Sequence, residues 1–207
     1  MKEVAVSVHA KDNFDPKILK NLKDYDYIHV DVMDGKFVDS CNINLDIFQI
    51  LKEFYSIPIV AHLMVIDSFK YIKKIVNYIN YFVFHIENPE NKNRIIEKIK
   101  KNNRKVGIAL NPDTDITEVI PFIEKIDLVL IMAVHPGWSG QRFIHQSVRK
   151  VNELAKYKEK YNFKIDIDGG INPENAIKLP NTDILTSASS ILKADHPNKV
   201  IQLLKYS

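Results

Sequence analysis

The sequence has 207 residues, of which 45% are hydrophobic and 27% are charged. This composition is typical of a globular protein and excludes a disordered chain. A net charge of +3 is too mild to indicate a nucleic-acid partner, and a single cysteine, Cys41, excludes an internal disulfide framework. The N-terminal residues lack the apolar core of a signal peptide, and no run approaches the roughly 18 apolar residues of a membrane span. We therefore expect a cytoplasmic protein with no membrane partner.

Eight short apolar runs, rich in Val, Ile and aromatic residues, are predicted to be strands. They lie at 4–8, 27–33, 57–64, 81–87, 105–110, 128–134, 163–168 and 183–188. Most are nearly continuous in apolar residues, as expected of parallel strands that are covered on both faces. The clearest amphipathic stretches between them predict helices at 45–54, 68–79, 91–102 and 146–161. Capping residues predict the start of three helices at Asp67–Ser68, Asp113–Thr114 and Asn172–Pro173.

Strand and helix alternate about every 26 residues to the end of the sequence, with no linker or low-complexity stretch. Eight consecutive units predict an α/β fold, a single (β/α)8 TIM barrel that spans residues 1–207 as one domain. A doubly wound open sheet is the alternative, but it gives no reason for the count of eight.

In such a barrel the catalytic side chains lie at the C-terminal ends of the strands. His29 and Asp31 are two residues apart on strand two, so they point to the same side of it. Two ionisable groups under the covering helices would be costly to bury, so we expect them to point into the barrel, close to His62. Asp168 ends strand seven, and two imidazoles with two carboxylates suit zinc, iron(II), manganese or cobalt. Alternatively, each histidine is a hydrogen-bonded barrel residue and Asp168 is a turn residue.

The sequence contains only six glycines, and five of them lie in three short motifs that follow strands. These motifs are DG at Gly35, HPGWSG at Gly137 and Gly140, and DGG at Gly169 and Gly170. Glycine in these positions indicates a positive φ or a close approach of the backbone to a ligand. The loops after strands six, seven and eight are therefore predicted to offer backbone N–H groups to an anion such as phosphate. Ordinary tight turns are the alternative.

Several blocks of sequence resemble the ribulose-phosphate 3-epimerase family, in the family's order and from Ser7 to Ile191. They are IHVDVMDGKFV, AHLMV, FHIE, GIALNPDT, VLIMAVHPGWSGQRFI and IDIDGGIN. The resemblance implies an enzyme that inverts C3 of a ketopentose phosphate, converting D-ribulose 5-phosphate to D-xylulose 5-phosphate through an enediolate. By position, His29, Asp31, His62 and Asp168 match the family's metal ligands, and Asp31 and Asp168 match its acid/base pair.

The resemblance also implies the cofactor, the assembly and the remaining site residues. We expect one divalent metal per chain, Zn²⁺ or Fe²⁺ in preference to Mn²⁺ or Co²⁺, a sugar-phosphate substrate, and a homo-oligomer (a dimer or a hexamer). The predicted cap over the enediolate consists of Met33, Met64 and Met132, although any one of these could be an ordinary core methionine. The predicted substrate-binding residues are Ser7, His62, Gly137, Trp138, Ser139, Gly140, Gly169, Gly170, Ala188 and Ser189.

The sequence departs from the family pattern at six positions near the expected substrate. They are His9, Ala10, His135, Trp138, Ser139 and Ala188. One alternative is therefore a sister 3-epimerase that acts on a hexulose 6-phosphate such as D-allulose 6-phosphate, for which the size of the pocket near His9, Ala10, Trp138 and Ser139 is decisive. A second alternative is a catalytically silent barrel that binds a sugar phosphate. That alternative predicts the loss of a ligand or of an aspartate, and all four residues are present.

Overall fold

The computed structural model describes residues 1–138 and 140–207. Eight parallel strands form the barrel: β1 Glu3–His9, β2 Tyr27–Asp34, β3 Ile59–Met64, β4 Tyr81–His85, β5 Lys105–Leu110, β6 Leu128–Met132, β7 Lys164–Asp168 and β8 Ile184–Ser187. Each strand pairs with the next, and β1 pairs with β8 as well as with β2, so the sheet closes on itself. A further two-residue strand, Cys41–Asn42, pairs antiparallel with β2. The predicted (β/α)8 barrel is confirmed and the open sheet is excluded.

Helices follow most of the strands and cover the outside of the barrel. They are α1 Asp46–Phe54, α2 Ser68–Ile75, α3 Lys92–Lys100, α4 Gln146–Ala155, α5 Pro173–Ala176, α6 Ser189–Leu192 and α7 Pro197–Lys205. Shorter 3-10 helices lie at Pro16–Leu19, Ile116–Glu118, Ile120–Lys125 and Lys156–Glu159. Within the described ranges, no helix has the length and apolar character needed to cross a membrane.

The capping residues define the helix starts as predicted at two of three places. The side chain of Asp67 accepts a hydrogen bond from the backbone N–H of Lys70, and that of Asn172 accepts one from Asn175. The prediction that a helix starts at Asp113–Thr114 is wrong, because the segment after β5 forms two 3-10 helices and the first is capped by Asp115. Thr114 instead donates its hydroxyl to Glu87.

The barrel has two apolar cores, one on each side of the sheet. The outer core lies between strands and helices and includes Val30 and Phe82, which are 0% and 1% exposed. The inner core fills the barrel with side chains of alternating strand residues such as Val83 and Leu130. This alternation follows the period-two geometry of a strand and directs the odd-numbered residues of β2, His29 and Asp31 among them, into the barrel.

Polar side chains close the N-terminal end of the barrel, beneath the inner core. Lys164 Nζ lies 2.5 Å from Glu3 Oε2 and 2.9 Å from the hydroxyl of Tyr27. Lys105 Nζ lies 3.1 Å from the hydroxyl of Tyr81, whose ring packs edge-on against Tyr27. We call these five residues the lower layer. Each of its ammonium groups has an oxygen partner.

Candidate active site

Four side chains meet at the opposite, C-terminal end of the barrel. One possible ligand atom from each of His29, Asp31, His62 and Asp168 lies within 4.8 Å of those from the other three. His62 Nδ1 is 2.8 Å from Asp31 Oδ1, and His29 Nε2 is 3.2 Å from the same oxygen and 3.8 Å from Asp168 Oδ2. The strand register explains the convergence, because Asp31 and His62 are Cα partners on β2 and β3. We call these four residues the metal cluster, after the ion that such donors can hold.

Asp31 is held from three strands. Its Oδ2 accepts a hydrogen bond of 2.9 Å from the hydroxyl of Ser7 on β1, while Oδ1 faces His29 on its own strand and His62 on β3. His9 Nε2 lies 3.9 Å from Oδ2. The side chain of Asp31 is only 8% exposed, so these contacts fix its orientation.

The two aspartates of the metal cluster have opposite pKa shifts. Burial opposes the ionisation of Asp31, but the neighbouring His29 and His62 outweigh it and hold the pKa of Asp31 well below its usual value. Burial and the nearby charge of Asp31 raise the pKa of Asp168 to about 8. At neutral pH this arrangement favours one ionised and one protonated carboxyl group.

The two histidines of the cluster also differ. Burial lowers the pKa of His62 to about 4, against the attraction of Asp31. Burial likewise acts to lower the pKa of His29, but Asp31 and Asp168 overcome it and raise the pKa to about 9. His29 Nδ1 is buried and has no hydrogen-bond partner among the described residues.

A cavity opens above the metal cluster and is bordered by the loops after β1, β6, β7 and β8. Its lining includes Asp31 and Asp168, with the buried side chains of Met33, Met64 and Met132. Of the predicted substrate-binding residues, those that line it are Ser7, Gly137, Trp138, Gly140, Gly169, Gly170, Ala188 and Ser189. His62 lies below the cavity and is fully buried, and Ser139 lies outside the described residues.

The predicted backbone conformation of the glycines in the three motifs is confirmed. All five glycines of the three motifs have a positive φ. A Cβ on Gly169 would lie 2.8 Å from the backbone N of Val134, and one on Gly170 would lie 2.8 Å from that of Phe143. These contacts let the loops after β6 and β7 pack directly on each other at the cavity wall.

Three ionisable residues next to the metal cluster have no role assigned from the sequence. Asp166 lies two residues before Asp168 on the same side of β7, is 1% exposed, and accepts from the Thr186 hydroxyl. His85 Nε2 lies 2.9 Å from His62 Nε2, and its Nδ1 lies 3.2 Å from Glu87 Oε2. The signal was present, because His85 and Glu87, like Asp166 and Asp168, have the same two-residue spacing as His29 and Asp31.

Comparison with known proteins identifies the family. The family model of the ribulose-phosphate 3 epimerase family matches residues 3–192. The chain belongs to the ribulose-phosphate 3-epimerase family. It is 35% identical over 174 residues to ribulose-phosphate 3-epimerase of Aquifex aeolicus, a match that covers 82% of this chain and 78% of the relative. As a member of this family the chain is an epimerase.

Other relatives of this epimerase extend the similarity along the chain. The ribulose-phosphate 3-epimerase of Schizosaccharomyces pombe is 32% identical over 215 residues, covering 99% of this chain and 93% of the relative. The crystal structure of KGPDC from Streptococcus mutans has a TM-score of 0.72 at 13% identity, covering 100% of this chain and 96% of that chain. At that identity the structural likeness supports the barrel fold alone.

Not all of the residues that depart from the family pattern line the cavity of the epimerase. Ala10 packs in the outer core and does not line the cavity, because strand alternation directs its neighbour His9 inward. His135 is exposed, with Nδ1 3.7 Å from Asp113 Oδ2, and does not line the cavity. Ala188 does line it, between β8 and α6.

Proposed function

We propose that this epimerase interconverts D-ribulose 5-phosphate and D-xylulose 5-phosphate at the metal cluster, with Asp31 and Asp168 as its acid/base pair. One observation carries the proposal. Two carboxyl groups from strands β2 and β7 face one cavity within 4.8 Å of shared histidine donors, and their pKa values are shifted in opposite directions. Inversion of a carbon needs a proton removed on one face and returned on the other, which two such groups supply.

The donor atoms of the metal cluster suit one divalent cation. Two imidazole nitrogens and two carboxylate oxygens match Zn²⁺ or Fe²⁺, with Mn²⁺ or Co²⁺ as alternatives. Burial and the nearby carboxylate of Asp31 raise the pKa of Asp168, and a cation would relieve the repulsion between the two carboxylates. When bound, the divalent cation supplies Lewis-acid stabilisation of the negative charge that develops as the proton next to the ketone leaves.

The proton transfers are assigned to the protein's own carboxyl groups. Asp31, fixed by Ser7 and His62, takes or returns the C3 proton on one face of the substrate. Asp168 does the same on the other face, and the two exchange roles in the reverse direction. The buried methionines Met33, Met64 and Met132 exclude water from the reacting carbon, so a proton from solvent does not compete.

The phosphate group is assigned to the glycine-containing wall of the cavity. The residues that line the cavity there are Gly137, Gly140, Gly169, Gly170 and Ser189. Support for a phosphorylated sugar comes from the family to which the chain belongs, whose name specifies ribulose phosphate. A cytoplasmic location and a homo-oligomeric assembly stay predictions.

The rate of epimerisation tests the proposal directly, because inversion of C3 needs a carboxyl group on each face. Asp31→Asn and Asp168→Asn are each expected to lower the rate of epimerisation of D-ribulose 5-phosphate by at least about a hundredfold, since general acid/base catalysis contributes roughly 10²–10⁴. Asp113→Asn is the matched control: the same substitution at an exposed carboxylate should leave the rate unchanged. Circular dichroism of each variant checks the fold.

Two outcomes would contradict the proposal. Epimerisation that persists at the wild-type rate in either variant removes that aspartate from the acid/base pair. Faster turnover of D-allulose 6-phosphate than of D-ribulose 5-phosphate by the unmodified enzyme would reassign the substrate to a hexulose 6-phosphate.

A further inference from the structure

A line of hydrogen-bonded side chains runs from the metal cluster into the neighbouring loops. His62 Nε2 lies 2.9 Å from His85 Nε2, and His85 Nδ1 lies 3.2 Å from Glu87 Oε2. The other oxygen of Glu87 accepts from the backbone N–H of Asn111 at 2.9 Å and from the hydroxyl of Thr114. Both histidines are fully buried, so bulk water does not compete for these contacts.

The far end of this line is anchored. The ammonium group of Lys150 on α4 is 3.0 Å from the carbonyl oxygen of Asn111 and also donates to those of Pro112 and Thr114. Lys150 is only 8% exposed. It therefore fixes the loop that presents the two hydrogen-bond donors to Glu87.

The partners of Glu87 determine where each histidine proton lies. Burial acts to raise the pKa of Glu87, but hydrogen bonds from His85 and Thr114 outweigh it and lower the pKa to about 2. An ionised carboxylate only accepts, so the proton of His85 belongs on Nδ1. In neutral His85, Nε2 then carries a lone pair and accepts the proton on His62 Nε2.

We propose that His85 and Glu87 are positioning residues that hold His62 in the tautomer protonated on Nε2, with the Nδ1 lone pair directed into the metal cluster. The inference rests on the metal site of the proposed function. It adds an account of how the tautomer of one ligand, His62, is controlled. In this tautomer His62 Nδ1 and Asp31 Oδ1, which lie 2.8 Å apart, would both be available as ligands of the cation.

Glu87→Gln is the decisive variant. The glutamine oxygen is needed by the donors of Asn111 and Thr114, so its NH₂ group faces His85 Nδ1 and requires that nitrogen to accept. The His85 proton then moves to Nε2, and His62 Nε2 must accept it, which puts the His62 proton on the ligating Nδ1. We expect the affinity for Zn²⁺, measured by competition with a chromophoric chelator, to fall roughly 10–100-fold.

Nitrogen-15 NMR of histidine-labelled protein reads the tautomer itself. In the zinc-loaded wild type, His62 should carry its proton on Nε2, and in Glu87→Gln the form protonated on Nδ1 should appear. A general loss of stability would not move this signal in that direction. His85→Phe is a second variant, because it keeps a ring of similar size but removes the acceptor, and it should weaken zinc binding to a similar extent.

Glu90→Gln is the matched control, three residues along the same loop. Glu90 accepts from the backbone N–H of Ser68 and lies outside the line to His62. Its zinc affinity should stay within about twofold of wild type. Unchanged zinc affinity and an Nε2-protonated His62 in Glu87→Gln would overturn the positioning role, as would an equal loss in Glu90→Gln. Failure of the wild type to bind zinc, iron(II), manganese or cobalt would instead refute the metal site of the proposed function.

Discussion

Both ends of the barrel hold ionisable side chains, but their charges are compensated in different ways. In the lower layer, Lys164 lies between Glu3 and Tyr27, and opposite charges meet directly. At the C-terminal end, Asp31 and Asp168 are brought close together around His29, whose Nδ1 has no partner among the described residues. The first arrangement is complete with protein atoms alone, whereas the second is completed by the proposed cation.

The lower layer therefore serves the stability of the barrel, whereas the metal cluster serves its proposed function. Compensated charges at the lower layer contribute modestly to holding the barrel end closed. At the metal cluster, burial and the nearby charge of Asp31 raise the pKa of Asp168, so its ionised form costs stability, and perturbed pKa values of this kind are characteristic of active sites. Substitutions in the lower layer should therefore change mainly the stability, and substitutions in the metal cluster mainly the activity.

Removal of metal should have the largest effect, and only at the C-terminal end. Treatment with a strong chelator is expected to lower the rate of epimerisation about a thousandfold, because Lewis-acid stabilisation contributes several kcal/mol and about 1.36 kcal/mol is tenfold in rate. Far-UV circular dichroism should not change, since the two apolar cores hold the strands and helices together. Added Zn²⁺ or Fe²⁺ should restore the rate. Full activity in protein shown to be metal-free would contradict the proposal that a cation completes the C-terminal end of the barrel.

Asp166 lies between the two ends and gives a pH-dependent test. Burial raises its pKa to about 6 from a usual 3.8, so ionisation costs more in the folded state than in the unfolded state. The penalty is complete above about pH 6 and disappears as the pH falls towards 3.8. In chelator-treated protein, Asp166→Asn should raise the free energy of unfolding by about 1–3 kcal/mol at about pH 7.5 and change it little at about pH 4.

Urea denaturation at the two pH values measures this difference. The low-pH sample serves as the internal control for any packing change caused by the amide. A loss of stability at the higher pH would mean that the Asp166 carboxylate is stabilised by its surroundings, as the lower layer is.

The smallest effect is expected in the lower layer itself. Lys164→Met removes the contacts to Glu3 and Tyr27, and the Lys164–Glu3 pair is about one-third exposed, so the loss of stability should be about 0.5–1 kcal/mol. The kcat and KM values should stay within about twofold of wild type, because the substitution lies at the opposite end of the barrel from the cavity. A large fall in kcat with unchanged zinc affinity would show that the lower layer acts on the active site.

The regular part of the fold was predictable because it repeats one local pattern. Buried parallel strands are apolar on both faces, and eight such runs with helices between them define a barrel. The metal cluster was predictable for the same reason, since period two fixed the side of β2 on which His29 and Asp31 lie. Asp168 could be placed at the same end because it terminates a strand.

The rest depended on contacts that a local pattern does not contain. Thr114 has the character of a capping residue, but it donates to Glu87, which is 27 residues away, so the helix start moves to Asp115. Ala10 looked like a pocket residue by position, and only the alternation relative to His9 assigns it to the outer core. The two-residue strand Cys41–Asn42, which pairs antiparallel with β2, is too short to leave a pattern.

The rim of the cavity carries a natural optical reporter. Trp138 is the single tryptophan of the sequence, it borders the cavity, and 62% of it is exposed to solvent. Indole emission depends strongly on hydration, so a molecule that binds against this ring should change the tryptophan fluorescence of the protein. Entry and departure of a ligand can therefore be followed in stopped-flow experiments without attaching a dye.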